Sequence, residues 1–159
     1  VDYATAAGTA TAGSDYSPVS GALTFAPGET SRVVSVTVFG DTLHEADESL
    51  SLALSNPVNA SVGTAAGTGT VTNDDAAPAV SVDTPGVTEG DTGAAGLLFT
   101  VSLSGPSELP VTVTFATADG TAVAGADYTA ASGSVTFAPG ETSKTVTVFA
   151  GGDNAAEAD

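Results

Sequence analysis

The sequence predicts an all-β fold built from antiparallel strands, and three observations support this prediction. Apolar residues alternate with small ones, as Leu50, Leu52 and Leu54 do, which is the two-residue period of a strand with one buried face. Pairs of Pro and Gly separate such segments, and no segment shows a sustained helical period. The chain also repeats itself, because residues 1–47 align without a gap with residues 113–159 at an offset of 112. We therefore expect tandem copies of one β domain.

The strands can be placed in order along one repeat that starts at Ala79. Val, Thr and Phe, which suit a pleated surface, are frequent in the strand segments. The predicted strands are residues 79–83, 95–104, 111–118, 132–138 and 143–150, followed by residues 48–55 and 66–73 of the first copy. Seven short strands with turns between them are typical of an immunoglobulin-like antiparallel β-sandwich. The alternation of Val34, Val36 and Val38 predicts a further strand in the first copy.

Two matching turns separate predicted strands in the two copies. Pro27-Gly28 and Pro139-Gly140 place Pro where φ is near about −65° and Gly where φ is positive, as in a type II turn. We expect each turn to join two antiparallel strands in a tight hairpin.

The strand pattern stops at residues 73–78, where Pro78 indicates a short, stiff connector. The predicted domains are residues 1–75, a repeat lacking its N-terminal strands, and residues 76–159, a repeat lacking its C-terminal strands. We therefore expect a longer array in which neighbouring repeats of the same chain are the partners, with homotypic filament assembly as a further expectation. Exchange of strands with another molecule is an alternative, but it would leave residues 1–47 without partners, so we favour a continuous chain.

Acidic residues dominate the charge balance. Nineteen Asp and Glu against two Lys and Arg give a formal net charge of −17. Such a surface repels nucleic acids and anionic lipids and favours cations, although the charge also serves solubility or a salty medium. The chain has no cysteine, which excludes disulfides and thiolate metal sites. No apolar run is long enough to cross a bilayer, so we expect no membrane insertion of this segment.

Catalytic groups are scarce in the sequence. His44 is the one histidine, and Ala156 stands at the matching position of the second copy. Glu45 and Asp47 could in principle act as acid and base, but metal binding or plain solvation suits a repeated loop better. We therefore expect that the chain is not an enzyme.

Carboxylates are concentrated at two connections that an immunoglobulin-like topology can bring to one pole. Carboxylates that lie close together repel each other unless a cation lies between them, and Ca²⁺ takes six to eight oxygen ligands. A merely hydrated acidic loop is the alternative interpretation, and the spacing leaves both open. The residues concerned are Asp41, Glu45, Asp47 and Glu48 in one loop, Asp153, Glu157 and Asp159 in its counterpart, and Asp74 and Asp75 after the last strand.

Several ordered motifs resemble one known family, the Calx-beta domain. They are FATADGTA at residues 115–122, GADY at 125–128, FAPGET at 137–142, EADE at 45–48 and GTGTVTNDD at 67–75. The resemblance covers essentially the whole chain. It implies a β-sandwich that binds Ca²⁺ at one pole, as in sodium/calcium exchangers, and it also extends to large bacterial surface proteins.

The resemblance further implies a set of Ca²⁺ ligands. In the composite repeat these are Glu89, Asp119, Asp41, Glu45, Glu48, Asp74, Asp75 and the backbone carbonyl of Leu43, and the second copy offers Asp153 and Glu157 for the acidic loop. Two departures reduce the charge of the first copy, since Ala7 matches Asp119 and Asn73 replaces the first of three terminal acids. This favours one or two ions of modest affinity, or none.

The function expected from these features is a calcium-stabilised structural module in a long extracellular or cell-surface array, such as an adhesin stalk or filament. One alternative is an adhesive module that binds a glycan or a protein. The other is a calcium-sensing regulatory domain of a membrane transporter.

Overall fold

A computed structural model describes residues 1–153 of the chain. The chain divides into two compact units, Val1–Asp75 (unit 1) and Ala76–Asp159 (unit 2). Every regular element within residues 1–153 is a β-strand. Among these residues no helix has the length and apolar character needed to span a bilayer.

Unit 1 contains one antiparallel sheet of four strands in the order β2-β1-β3-β4. Its central strands, β1 and β3, pair from Asp2 opposite Ser55 to Ala7 opposite Leu50. Leu50 packs in a small core with Ala10 and Tyr16. Alternate residues of β3 face the same side of the sheet. The strand bounds are β1 Asp2–Ala7, β2 Ser20–Ala22, β3 Glu48–Ser55 and β4 Ala66–Val71.

The described part of unit 2, up to residue 153, contains two antiparallel sheets, one with the order β5-β6-β9 and the other made of β7 and β8. A core of Val101, Leu103, Phe137 and Val146 takes residues from both sheets, and Phe137 is fully buried. The strand bounds are β5 Val80–Val82, β6 Gly93–Leu103, β7 Val111–Ala116, β8 Ser132–Phe137 and β9 Ser143–Gly152. Two sheets that share one apolar core form a sandwich.

The predicted fold class is confirmed, because the chain is all-β, its sheets are antiparallel and the immunoglobulin-like sandwich fits. Each of the seven predicted strand segments overlaps one observed strand. The largest differences in bounds are two residues, at the start of β6, at the ends of β4 and β7, and at the end of β9.

The strand predicted from Val34, Val36 and Val38 is wrong. In this stretch Val38 forms only an isolated bridge with Tyr16, and Val33 is 88% exposed. The repeat matches this stretch to β9, which pairs with β6 in unit 2. Residues 1–75 contain no counterpart of β6, so the apolar alternation has no neighbouring strand on which to form a ladder.

The two Pro-Gly turns have the predicted local geometry but not the predicted role. Gly28 and Gly140 adopt φ of 87° and 80°, and the N–H of Glu141 donates to the carbonyl of Ala138 at 2.9 Å. The tight hairpin is wrong, because β8 pairs with β7 while β9 pairs with β6 in the other sheet. A turn fixes the direction of the chain locally, whereas the long β6–β9 ladder decides which sheet receives the next strand.

Candidate metal site

An acidic loop and the end of the last strand meet in unit 1. The acidic loop comprises residues 41–48, and the terminal segment comprises residues 73–75. Asn73 links them, because its Oδ1 accepts the N–H of Glu45 at 3.1 Å and its own N–H donates to Asp47 Oδ1 at 3.0 Å. Its Nδ2 donates to the carbonyl oxygen of Asp75 at 2.9 Å. These hydrogen bonds hold two of the predicted ligands, Glu45 and Asp75, in neighbouring segments.

The other residues of this region are partly committed to local contacts. Asp41 Oδ1 accepts the N–H of Leu43 at 2.7 Å, a short-range turn typical of Asp. His44 Nδ1 lies 3.1 Å from the carbonyl oxygen of Asp75 and donates to it in the tautomer protonated at Nδ1. Asp74 is exposed. The histidine therefore belongs to the contact between the acidic loop and the terminal segment.

Glu48 begins β3 and stands opposite Val71 of β4. It is half-buried, unlike the exposed Asp41 and Asp74. Its position in a strand fixes its backbone more firmly than that of the loop carboxylates.

In unit 2, Asp119 is bound within its own loop. Asp119 Oδ1 accepts the phenolic O–H of Tyr128 and the N–H of Ala124, both at 2.8 Å. The hydrogen bond from Tyr128, followed by that from Ala124, lowers the pKa of the Asp119 carboxyl. The same contact raises the pKa of the Tyr128 phenol. Asp119 therefore stays ionised, and it ties together the two ends of the segment from residue 119 to residue 128.

Glu89 and Asp153 are brought near each other through the backbone. A Cβ added to Gly152 would lie 2.8 Å from the carbonyl oxygen of Glu89 and 2.7 Å from that of Gly90. Only glycine allows this approach, and Asp153 is the next residue. Glu157, the remaining predicted ligand, lies outside the described residues.

The donor chemistry fits a hard cation, but the geometry is not preformed. Carboxylate and carbonyl oxygens are the ligands that Ca²⁺ prefers. Within residues 1–153, however, no three His, Asp or Glu side chains are grouped closely enough to hold a metal ion. In unit 1, Asp41 and Asp47 turn an oxygen toward backbone N–H groups. An ion bound at this pole would require some of these carboxylates to reorient.

The comparison with protein families decides the family. The model of the Calx-beta domain matches residues 1–76 and, a second time, residues 73–159. The chain belongs to the Calx-beta domain family. The predicted resemblance to tandem Calx-beta domains is thereby confirmed.

Curated relatives share a shorter stretch with this Calx-beta chain. It is 45% identical over 56 residues to sodium/calcium exchanger 1 of Canis lupus familiaris, Bos taurus and Rattus norvegicus. These 56 residues are 35% of the chain but only 6% of each exchanger. The chain thus matches a small part of the length of these proteins.

Two solved structures are similar to the Calx-beta chain. One is the calcium binding domain CBD12 of CALX1.1, with a TM-score of 0.46 and 26% identity, covering 92% of this chain and 60% of that one. The other is CBD12 from CALX1.2, with a TM-score of 0.46 and 27% identity, covering 94% of this chain and 60% of that one.

Proposed function

We propose that the chain is a calcium-binding module that serves as a structural unit in a long repeat array at the cell surface or outside the cell. The observation that carries the calcium part is the contact between the acidic loop and the terminal segment, in a chain that matches the Calx-beta family twice. A net charge of −17 supports a cation as the partner.

Candidate ligands lie in both units. In unit 1, the acidic loop and the terminal segment carry them on neighbouring backbones, with Asn73 keeping the two segments within reach of each other. In unit 2, the backbone of Glu89 lies beside Gly152. A bound Ca²⁺ supplies positive charge that offsets repulsion between carboxylates. The residues proposed to bind it are Asp41, Leu43 through its carbonyl, Glu45, Glu48, Asp74 and Asp75 in unit 1, and Glu89, Asp119, Asp153 and Glu157 in unit 2.

The array part rests on the internal repeat. Residues 1–47 match residues 113–159, so each unit carries strands that the other does not. We propose that residues 1–75 and 76–159 are parts of successive larger repeats, with neighbouring repeats of the same chain as partners. Extracellular placement and a role in an adhesin stalk or filament belong to the same proposal. No catalytic role is proposed.

Calorimetric titration of Ca²⁺ into chelator-treated protein at constant ionic strength tests the calcium part. We expect the unaltered chain to bind Ca²⁺ saturably. The double variant Asp41→Asn, Asp75→Asn should bind Ca²⁺ about tenfold more weakly, since two ligand charges are lost. Glu108→Gln, which removes one exposed charge in unit 2, is the matched control and should bind as the unaltered chain does. No heat from Ca²⁺, or equal binding by all three proteins, would contradict the proposal.

A second candidate is a calcium-sensing regulatory domain of a membrane transporter. The observation that favours it is the 45% identity over 56 residues to sodium/calcium exchanger 1. The sequence of the complete gene distinguishes the two. Membrane-spanning helices flanking a pair of Calx-beta domains would favour the transporter, and many consecutive copies without such helices would favour the array.

A further inference from the structure

The loop after β7 contains a dipeptide with a chemistry of its own. Asp119–Gly120 is the one place in the sequence where Asp or Asn is followed by Gly. In such a pair the side-chain carboxyl is close to the next main-chain nitrogen along the chain, and glycine has no Cβ to hinder their approach. Both residues are exposed. The pair therefore combines an electrophilic carbon, an unhindered nitrogen and access to water.

The reaction open to this pair is a rearrangement of the main chain. The nitrogen of Gly120 forms a bond to Cγ of Asp119, and the carboxyl loses one oxygen, which leaves as water with the carboxyl and amide hydrogens. The product is a succinimide ring. Addition of water at Cγ restores aspartate, whereas addition at the main-chain carbonyl carbon breaks the original peptide bond and leaves isoaspartate. One water is released and one is consumed, so the rearrangement needs no other reactant.

Two hydrogen bonds hold the carboxyl of Asp119 in its unreacted form. Its Oδ1 accepts the O–H of Tyr128 and the N–H of Ala124, both at 2.8 Å. Hydrogen bonds to an ionised carboxylate are stronger than those to a neutral carbonyl. Ring closure converts the carboxylate into a neutral imide carbonyl, so it weakens both contacts. The folded loop therefore stabilises the reactant more than the ring.

The attacking nitrogen is restrained as well. The N–H of Gly120 donates to the carbonyl of Ala122 at 3.2 Å. This hydrogen is lost when the ring closes, so the contact must break and the carbonyl of Ala122 loses its donor. Both reacting groups are thus held by contacts that the ring does not keep, which raises the barrier to ring closure.

The internal repeat makes this chemistry particular to one copy. The offset of 112 places Ala7–Gly8 at the position of Asp119–Gly120. Ala7 has no carboxyl, so this pair cannot form the ring. The first copy is therefore an internal reference that keeps the glycine and lacks the reactive carboxyl.

We propose that Asp119–Gly120 is a covalent modification site at which the main chain rearranges to isoaspartate, and that Tyr128 is a positioning residue that slows this reaction. Isoaspartate adds one methylene to the main chain and leaves the carboxylate attached directly to Cα. The contacts to Tyr128 and Ala124 are then lost, and Asp119 leaves the set of proposed calcium ligands. The proposal goes beyond calcium binding and does not depend on it.

The first experiment follows the entry of ¹⁸O from labelled water into the full chain at neutral pH with a calcium chelator present. Ring opening leaves ¹⁸O in both products, and peptide mapping with electron-transfer fragmentation locates the label and the isoaspartate. We expect both at Asp119 ahead of Asp91, which precedes Thr92, and faster uptake when urea unfolds the chain. Uptake at Asp119 no faster than at Asp91 in urea would overturn the modification site. Equal rates at Asp119 in the folded and unfolded chains would overturn the restraint.

The second experiment removes the phenolic O–H with Tyr128→Phe. We expect uptake at Asp119 in the folded chain to rise severalfold, while uptake at Asp127 stays unchanged. Asp127 lies in the same loop, where its Oδ2 accepts the N–H of Val123 at 2.6 Å, and it reports any general loosening. Tyr3→Phe is the matched control and should react as the unaltered chain does. Unchanged uptake at Asp119, or an equal rise at Asp127, would overturn the role of Tyr128.

The third experiment uses Gly120→Ala to hinder the nitrogen. A Cβ at this position meets nothing within 4 Å, so we expect the variant to fold, and a melting curve checks this. Uptake at Asp119 should fall severalfold in urea, because the methyl group obstructs ring closure. Unchanged uptake in urea would overturn the succinimide route. Since the chelator is present throughout, a calcium titration without binding leaves this proposal standing, and its failure is distinguishable from that of the proposed function.

Discussion

Asp119 and Tyr128 show how one residue changes the local chemistry of two similar copies. In unit 2 the phenol of Tyr128 donates to Asp119, whereas in unit 1 Ala7 stands at the position of Asp119. Tyr16, the counterpart of Tyr128, is only 1% exposed and lies in the core, while Tyr128 is half-buried. The resemblance to the family implies Asp119 as a metal ligand, but the sequence does not reveal that this aspartate and Tyr128 bind each other.

The lowered pKa of Asp119 has a defined sign for stability. Its ordinary value is 3.8, and the folded value lies below it because Tyr128 and then Ala124 donate to the ionised form. The contact therefore contributes stability that is present above pH 3.8 and is lost as the pH falls through the folded pKa.

Replacement of Tyr128 by Phe should move the Asp119 carboxyl pKa back toward its ordinary value, because the largest cause of the shift is removed. The measurement is an NMR titration of the side-chain carboxyl carbon of Asp119. Tyr3→Phe in unit 1 is the control and should leave this titration unchanged. An unchanged Asp119 titration in Tyr128→Phe would show that the phenol does not hold the carboxylate.

The Pro-Gly turns show what a local motif decides at the scale of elements. Both copies place glycine at positive φ and anchor the turn with a glutamate, because Glu29 Oε2 accepts the N–H of Ala26 and Glu141 Oε2 accepts that of Ala138. The matching turn geometry follows from matching sequences. The pairing of the next strand does not follow from the matching turn sequences, because it depends on whether β6 or its counterpart is present.

Gly140→Ala should destabilise the chain by about 1 kcal/mol, since an L-residue is strained in the left-handed region. The space around Gly140 is open, so any effect comes from its φ of 80° and not from a clash. Gly105→Ala is the matched control, because its Cβ would also meet open space and its φ lies outside the left-handed region. Chemical denaturation measures both. Equal midpoints for the two variants would mean that the turn relaxes without cost.

The strands also show why element prediction succeeded in part. Where apolar alternation has a partner strand, as in residues 143–150, the predicted strand exists and pairs with β6. The same alternation at Val34, Val36 and Val38 gives no strand. Alternation with a period of two residues indicates which face of a segment is apolar. A ladder of hydrogen bonds also needs the backbone groups of a second segment, and that segment is remote in the sequence.

At the scale of the whole molecule, the sequence predicted the class of site better than its geometry. The acidic loop and the terminal segment are visible as runs of carboxylates, and the sandwich topology predicts that they approach each other. Asn73 enters that prediction only as a missing acid, whereas its side-chain oxygen accepts a hydrogen bond from Glu45 in the acidic loop and its side-chain nitrogen donates to Asp75 within the terminal segment. An asparagine side chain can both donate and accept hydrogen bonds, and this property was the signal in the sequence for a residue that links the two segments. The directions of individual carboxylates depend on such contacts and could not be predicted from spacing.

The net charge of −17 predicts that salt changes the thermal stability of the chain. Repulsion among exposed carboxylates destabilises a compact chain, and monovalent salt screens it over a distance of about 10 Å at 0.1 M. Raising NaCl from low concentration should therefore raise the melting temperature of every variant. If Ca²⁺ binds specifically, replacing part of the NaCl by CaCl₂ at the same ionic strength should raise the melting temperature further, since only the folded form binds the ion.

The double variant Asp41→Asn, Asp75→Asn separates screening from binding at this scale. It should keep the response to NaCl, because it removes only two of nineteen acidic residues, and it should lose a large part of the additional response to CaCl₂. Glu108→Gln should keep both responses. MgCl₂ is the matched divalent salt, and its smaller ion demands stricter octahedral geometry than a loop with dispersed carboxylates offers. Equal shifts with MgCl₂ and CaCl₂ in all three proteins would mean that the acidic pole acts as a hydrated, screened surface and not as a calcium site.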